Sequence, residues 1–133
     1  NVFGANPPVV VFSPTINRTG AKKDTLRNVE AIPEFVVHAA TAEFAEQVNA
    51  SSKELPHHES EIEHVGLHTT PSTKVRPPRL VEAPVAMECV VRQILPFGTG
   101  PIATNLVIGE VLTIHVSESV LGANGKPDPR KLK

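Results

Sequence analysis

Residues 13–28 combine the side-chain types that could hold a phosphate. They read SPTINRTGAKKDTLRN and directly follow an apolar run, residues 7–12. The stretch supplies hydroxyls from Ser13, Thr15 and Thr25 and positive charge from Arg18, Lys22, Lys23 and Arg27. Hydroxyls, cations and the backbone N–H groups at a helix start are the donors that bind phosphate in proteins. The stretch therefore suggests a phosphate site, and a solvated basic loop is the alternative because no glycine-rich fingerprint is present.

Local patterns predict the elements that would position this loop. The apolar run at 7–12 indicates a buried strand, and Asp24 is the expected N-cap of a short helix that Pro33 ends. Its inward side would consist of Leu26, Val29 and Ile32. A second strand is predicted over residues 34–38. A second helix should run from Thr41 to about residue 50, with an inner face of Phe44, Ala45 and Val48.

The second half of the chain predicts a long β-hairpin. Residues 51–82 should be irregular, apart from a helical turn that Ser60 begins with a capping box. Strands are expected over residues 85–95 and 106–116, and the Pro- and Gly-rich turn 96–101 joins them. Residues 117–133 turn polar and predict a tail.

Composition narrows the class of protein. A chain of 133 residues corresponds to a single domain, and its hydrophobic share is 40% with only 4% aromatics, so the core should be aliphatic. Thirteen Pro and eight Gly favour a β-rich fold with short elements over a helix bundle. A net charge of −1 argues against general nucleic-acid binding. No apolar run approaches the ~18 residues of a membrane span and no leader is visible, so a cytoplasmic location is expected.

Two further groups of side chains favour structural interpretations. Cys89 is the only cysteine and lies in a strand pattern, which indicates a buried core thiol. Four histidines and three glutamates cluster within 57–68, but Gly66 interrupts the helix that a His64–His68 metal pair would need. We interpret the cluster as a solvated face and predict no metal site.

Longer stretches of the sequence resemble a known family. The run PPVVVFSPTINRTGAKKDTLRNVEAIPEFVVH is similar to the flavin reductase-like, FMN-binding split-barrel family, in the group that includes nitrilotriacetate monooxygenase component B. EQVNASS, SEIEHVGL, KVRPPRLVEAPVAMECVV and LVIGEVLTIHV match in order and spacing, so the likeness covers residues 1 to about 130. It implies a mainly β fold with α, a split β-barrel with helices packed outside, formed by residues 1–133 as a single domain.

The resemblance also implies a cofactor site. It assigns the FMN phosphate to Ser13, Thr15, Lys23 and Thr25, with Arg18 as a weaker contact. Asn49, Ala50 and Ser51 match a loop close to the cofactor, and Glu110 and His115 match a strand that reaches toward the flavin. His115 would orient nicotinamide or tune the ring, while a strand histidine bonded to a carbonyl remains the alternative.

By this resemblance the protein is an NAD(P)H-dependent flavin reductase. Hydride would pass through FMN to an oxygenase partner or a metal acceptor, and FMN would lie near the interface of a homodimer. The alternative is a non-catalytic FMN-binding electron-transfer or flavin-carrier protein. Family members also carry two strands and an Ala-Pro-(Phe/Tyr)-Ser turn before the position of Asn1, and a segment beyond Lys133. We expect these to lie outside the 133 residues; if they are truly absent, a bare anion-binding domain is the third reading. His38 stands where relatives tend to have Asn.

Overall fold

The computed structural model describes residues 1–50 and 61–133. The strands are β1 Val2–Phe3, β2 Val9–Phe12, β3 Glu34–His38, β4 Thr69–Thr70, β5 Arg79–Leu80, β6 Val85–Phe97 and β7 Thr104–Val116. The helices are α1 Asp24–Ala31, α2 Ala45–Ala50 and α3 Glu61–His64, with 3-10 turns at Ala42–Phe44 and Glu118–Val120. No helix among the described residues is long and apolar enough to cross a membrane.

An open antiparallel sheet organises the chain. Its strand order is β1-β2-β7-β6-β3, while β4 and β5 form a separate two-stranded pair. The predicted hairpin is confirmed as β6 and β7, each 13 residues long, with register shifts at Glu88/Cys89 and Val91/Gln93. The mainly β fold with few helices agrees with the expected split-barrel class.

The core lies between α1 and one face of this sheet. Leu26 and Val29 of α1 are buried and pack with Val10, Phe35, Cys89, Val107 and Val111. The core is aliphatic apart from Phe35 and Phe12, whose ring centroids lie 5.0 Å apart in an edge-to-face arrangement. The burial of Leu26 and Val29 therefore positions α1. It also positions the loop that precedes α1.

Several local predictions were wrong in detail. Asp24 is the first helical residue and Lys23 is the N-cap, a placement in which an acid in the first turn complements the helix dipole. Ile32 turns extended before Pro33 and is 37% exposed, because a residue that precedes proline avoids the helical region. The second helix begins with a 3-10 turn, so among its predicted inner residues only Phe44 is buried.

The segments on either side of the hairpin contain structure that the patterns missed. The β4–β5 pair lies within the stretch expected to be irregular, and strands of two residues carry no readable period. The predicted cap Ser60 lies outside the described residues. Residues 117–133, expected as a tail, fold back so that Val120 is 4% exposed and Asp128 N–H donates to Val120 O at 2.8 Å.

The second face of the sheet carries apolar side chains that are only half-covered. Val9 and Val11 on β2 are intermediate in burial, and so are Leu106 and Ile108 on β7. Cross-strand partners share a face, and Val11 pairs with Ile108. Its apolar side chains therefore keep substantial contact with solvent in the single chain.

Gly109 marks a position where the sheet has no room for a side chain. A Cβ there would lie 2.3 Å from Cζ of Phe35, whose ring is buried against the sheet. We expect Gly109→Ala to lower the free energy of unfolding by about 1–3 kcal/mol, through overpacking. Urea denaturation measures this effect. Adding Phe35→Leu should offset part of the cost, and strictly additive effects of the two substitutions would contradict the proposed clash.

Candidate functional site

The loop between β2 and α1 is organised by one asparagine. Asn17 Oδ1 accepts hydrogen bonds from Thr19 N–H at 3.0 Å, Thr19 Oγ1 at 2.7 Å and Ala21 N–H at 2.9 Å. Asn17 N–H donates to Ala21 O at 2.9 Å, which closes the turn. An asparagine side chain that accepts hydrogen bonds from several backbone N–H groups holds a loop in one conformation. The loop needs no helix or strand hydrogen bonds for this.

The same loop is tied to the turn end of the β6–β7 hairpin. Ile16 N–H donates to Ala103 O at 3.0 Å, and Asn105 Nδ2 donates to Pro14 O at 3.3 Å. Asn105 is buried at 8% exposure, so this contact is shielded from water. The loop is therefore anchored on the longest element of the fold.

The predicted phosphate-binding side chains remain available at this loop. Within the described residues, none of these side chains has a hydrogen-bond or ion-pair partner: Ser13, Thr15, Arg18, Lys23 and Thr25. Most of them are exposed, and Lys23 caps α1 with its carbonyl while its side chain makes no capping bond. The neighbouring Lys22 differs, because its Nζ lies 2.8 Å from Glu30 Oε2.

The structure does not bring every predicted site residue to this loop. Asn49 and Ala50 end α2, and Val48 of that helix lies beside His38, at the opposite end of the sheet. His38 aligns through Ala86 with His115, ten residues along β7 from Asn105, which corresponds to roughly 30 Å. Ser51 lies outside the described residues. The role of 49–51 stays a prediction.

Glu110 lies on the half-covered face of the sheet and already has a cationic partner. Its Oε2 accepts from Arg92 Nε at 2.7 Å and lies 2.6 Å from Arg92 Nη2. Because the side chain is 26% exposed, this ion pair is partly shielded from solvent. Any flavin contact from Glu110 would therefore come from a carboxylate that is already paired with Arg92. The proposed contact stays a prediction.

His115 is held by a carboxylate that the sequence did not reveal. Its Nε2 contacts Oε2 of Glu88, whose side chain is 0% exposed. Glu88 also accepts backbone N–H bonds from Thr73 at 2.9 Å, Lys74 at 2.6 Å and Val75 at 3.2 Å. The prediction of a strand histidine bonded to a carbonyl is wrong in its partner, since the acceptor is this buried carboxylate.

The donors around Glu88 decide its protonation. Burial by itself would raise the pKa of this carboxyl, but the N–H groups of Thr73 and Lys74, His115 and the Val75 N–H outweigh it. The pKa of Glu88 falls to about 2, so the carboxylate is ionised at neutral pH. Sequence reasoning missed this group because Glu88 stands at a position of the alternating strand that predicts solvent exposure, and the residues that cover it come from an irregular segment.

The structure confirms the interpretation of Cys89 and describes only part of the histidine cluster. Cys89 is 0% exposed, and burial raises the pKa of its thiol to about 11, which confirms a core thiol. His68 is solvent-exposed, and its Nδ1 lies 2.6 Å from Glu82 Oε1. His57 and His58 lie outside the described residues.

Comparison with known proteins identifies the family. Residues 1–127 match the family model described as the flavin reductase like domain. The chain belongs to this family. That residues 1–133 form a single such domain stays a prediction.

Individual members of the flavin reductase-like family share the sequence and the fold. An uncharacterized protein of Halalkalibacterium halodurans is 39% identical over 127 residues, which cover 94% of this chain and 61% of that protein. Nitrilotriacetate monooxygenase component B from Bacillus cereus superposes with a TM-score of 0.90 at 35% identity, over 100% of this chain and 66% of that one. The chain thus spans less than two thirds of either protein.

A solved structure of lower sequence identity shares the fold alone. The FMN-binding protein from Thermus thermophilus, solved with 1-cyclohex-2-enone, has a TM-score of 0.74 at 19% identity. The match covers 97% of this chain and 65% of that one. The fold of this chain therefore also occurs in a protein of much lower sequence identity.

His38 gives this flavin reductase-like chain a titratable contact between β3 and β5. Its Nε2 accepts a hydrogen bond from Leu80 N–H at 2.9 Å, which requires the unprotonated nitrogen. Burial first, and the charge of Arg79 second, lower the pKa of His38 below its ordinary 6.5. Below pH 6.5 the unfolded chain therefore binds a proton at His38 more readily than the folded chain does. The free energy of unfolding should fall as the pH drops below 6.5.

The measurement is the free energy of unfolding against pH for the wild type and for His38→Gln. Glutamine offers an oxygen that accepts from Leu80 N–H and does not titrate, so its curve should be flatter between pH 7 and 5, the range in which an ordinary histidine titrates. Parallel curves for the two proteins would assign the slope to other groups.

Proposed function

We propose that this chain is the FMN-binding domain of an NAD(P)H-dependent flavin reductase. The observation that carries the proposal is the loop 13–23 in front of α1. Asn17 holds this loop in one conformation. The side chains of Ser13, Thr15, Arg18 and Lys23 in the loop, and of Thr25 in the first turn of α1, have no partner among the described residues. In a chain of the flavin reductase-like family, the ligand that fits such donors is the phosphate of FMN.

The proposed ligand set combines side chains with the start of a helix. Ser13, Thr15 and Thr25 would donate their hydroxyls to phosphate oxygens, and Lys23 with Arg18 would supply the charge. Lys23 is the N-cap of α1, and its Nζ has no hydrogen-bond or ion-pair partner among the described residues. Lys22 is excluded from the set because Glu30 holds it at 2.8 Å.

FMN, when bound, supplies the hydride chemistry, and the protein binds and orients it. In the proposed reaction the electrons come from NAD(P)H and go to an oxygenase partner or a metal acceptor. The component B name of the Bacillus cereus relative, one part of a monooxygenase, supports the oxygenase alternative. His115 is proposed to orient the nicotinamide or the ring, with Glu88 holding its Nε2 edge in place.

We propose that the working form is a cytoplasmic homodimer. Two observations support a second copy. The apolar side chains of Val9, Val11, Leu106 and Ile108 share one face and are only half-covered in a single chain. The loop 13–23 and the end of α2 lie at opposite ends of the hairpin, so a single chain does not unite the predicted cofactor contacts. A partner copy placed on this face would bring a second set of contacts to each flavin.

The test is an absorbance scan of the purified protein, with its flanking segments where they exist, after addition of FMN and then NADH without oxygen. Flavin bands near ~370 and ~450 nm that shift on binding and bleach with NADH would support the reductase. Bound flavin that stays oxidised with both NADH and NADPH would favour the carrier protein. Absence of flavin binding would overturn both readings.

A further inference from the structure

Residues 68–80, which we call the strap, lie against the sheet without joining its hydrogen-bond ladder. The strap contains β4 and β5, which pair with each other and form a sheet of their own. Within the described residues, no backbone–backbone hydrogen bond connects the strap to the five-stranded sheet. Val75 is the buried apolar residue of the strap, at 9% exposure. The strap therefore depends on side chains of the sheet for its polar attachment.

Three titratable side chains of the sheet accept backbone N–H groups of the strap. Glu88 accepts from three of these groups. Glu34 Oε2 accepts from Arg76 N–H at 2.8 Å, and His38 Nε2 accepts from Leu80 N–H at 2.9 Å. A protonated carboxyl keeps an oxygen that accepts, whereas a protonated imidazole has no acceptor left. Protonation therefore removes the His38 attachment outright and only weakens the other two.

The surroundings of His38 disfavour its protonation while the strap is in place. Arg79 on β5 contributes a positive charge, and Ala86 on β6 separates the ring from His115, whose Nε2 contacts Glu88. Burial first, and the charge of Arg79 second, lower the pKa of His38. A cavity of about 280 Å³ beside the ring is lined by apolar residues: Ala40, Phe44, Val48, Ile62, Leu67 and Leu80.

We propose that the strap is a pH-sensitive segment whose β4–β5 part separates from β3 when His38 takes up a proton. In the separated state the imidazolium and Leu80 N–H are hydrated, and the apolar cavity is uncovered. Residues 73–75 stay in place, because the pKa of Glu88 lies at about 2 and its carboxylate stays ionised between pH 7 and 5. The opening is local and requires less free energy than global unfolding.

Proton linkage sets the size of the expected effect. In the open strap His38 has its ordinary pKa of 6.5, and in the closed strap its pKa is lower. The ratio of open to closed molecules therefore increases as the pH falls below 6.5. Between pH 7 and 5 the increase is at most about 25-fold, the value for a closed state that binds no proton in this range.

Amide hydrogen exchange followed by NMR at pH 7, 6 and 5, without flavin, tests the proposal. In the wild type, the protection factor of Leu80 N–H, corrected for intrinsic exchange, should fall by about five- to 25-fold from pH 7 to 5. In His38→Gln it should change by less than about twofold, because glutamine accepts from Leu80 N–H and does not titrate. The side-chain ¹⁵N shifts of His38 should titrate over the same pH range as the exchange at Leu80, a comparison that needs no substitution.

Two other amides separate this opening from wider changes. Lys74 N–H is bound by Glu88 at 2.6 Å and reports on the tip of the strap, while Val107, at 0% exposure on β7, reports on global unfolding. Both should keep a higher protection factor than Leu80 and lose less of it on acidification. An unchanged protection factor of Leu80 in the wild type, or an equal fall in His38→Gln, would overturn the proposal. So would equal falls at Leu80 and at either reference amide.

Discussion

Glu88→Ala should lower the free energy of unfolding by about 3–5 kcal/mol, the largest stability effect that we expect from a single substitution. The carboxylate is 0% exposed and joins β6 to the backbone of Thr73, Lys74 and Val75 as well as to His115. Its removal leaves these donors without their acceptor, and the N–H of Val75 is buried. For a domain whose total stability is about 5–15 kcal/mol, this loss is a large fraction, and urea denaturation measures it.

Glutamine at the same position separates charge from shape. Glu88→Gln resembles the protonated carboxyl, so it should lose only the contribution of the charge. The difference between a pKa of about 2 in the folded protein and 4.5 in the unfolded chain corresponds to about 3–4 kcal/mol. Glu34→Gln is the matched control on β3, because Glu34 accepts one backbone N–H, from Arg76 at 2.8 Å, and should cost less.

The sign of the pH dependence follows from the same values. The folded pKa of Glu88 is depressed, so its stabilisation is complete above 4.5 and is lost as the pH falls from 4.5 toward 2. The wild type should therefore destabilise more steeply than Glu88→Gln over this range. If the two proteins unfold with the same pH profile, the buried carboxylate does not carry the proposed stabilisation.

Local sequence patterns predicted the elements with a clear period and missed those without one. The strand Glu34–His38 and the hairpin β6–β7 follow from alternating or continuous apolar residues, and the structure confirms them. The pair β4–β5 was missed, because two residues per strand leave no period to detect. The Asp24 cap was wrong by one residue, since an acid is favourable both as the cap and in the first turn.

The candidate site shows the same division between local and long-range information. The donors of 13–25 could be named from their types, because a phosphate site draws on one continuous stretch of chain. Glu88 could not be recognised, since its meaning depends on backbone N–H groups 13–15 residues upstream that only the folded chain brings to it. The roles of Asn49 and Glu110 stay predictions. In the proposed homodimer they would depend on which surfaces meet across the second copy, which no pattern in one chain encodes.

Lys23→Ala combined with Thr25→Ala should weaken FMN binding more than any other change to the loop. Each lost charge-assisted contact to the phosphate costs about 1.5–3 kcal/mol, which corresponds to about ten- to a hundredfold in the dissociation constant. Quenching of flavin fluorescence during titration measures this constant. Riboflavin lacks the phosphate, so its affinity should change little in the same variant.

Lys22→Ala provides the matched control for this double substitution. The substitution removes the same charge from the residue that precedes Lys23, but the Nζ of Lys22 is held by Glu30 at 2.8 Å. Its substitution should therefore leave FMN affinity within about twofold of the wild type, which is the effect of a distant charge screened by solvent. Equal losses in the two proteins would show that only the summed positive charge of the loop matters. Unchanged FMN affinity in the double variant would contradict the assignment of the FMN phosphate to residues 13–25.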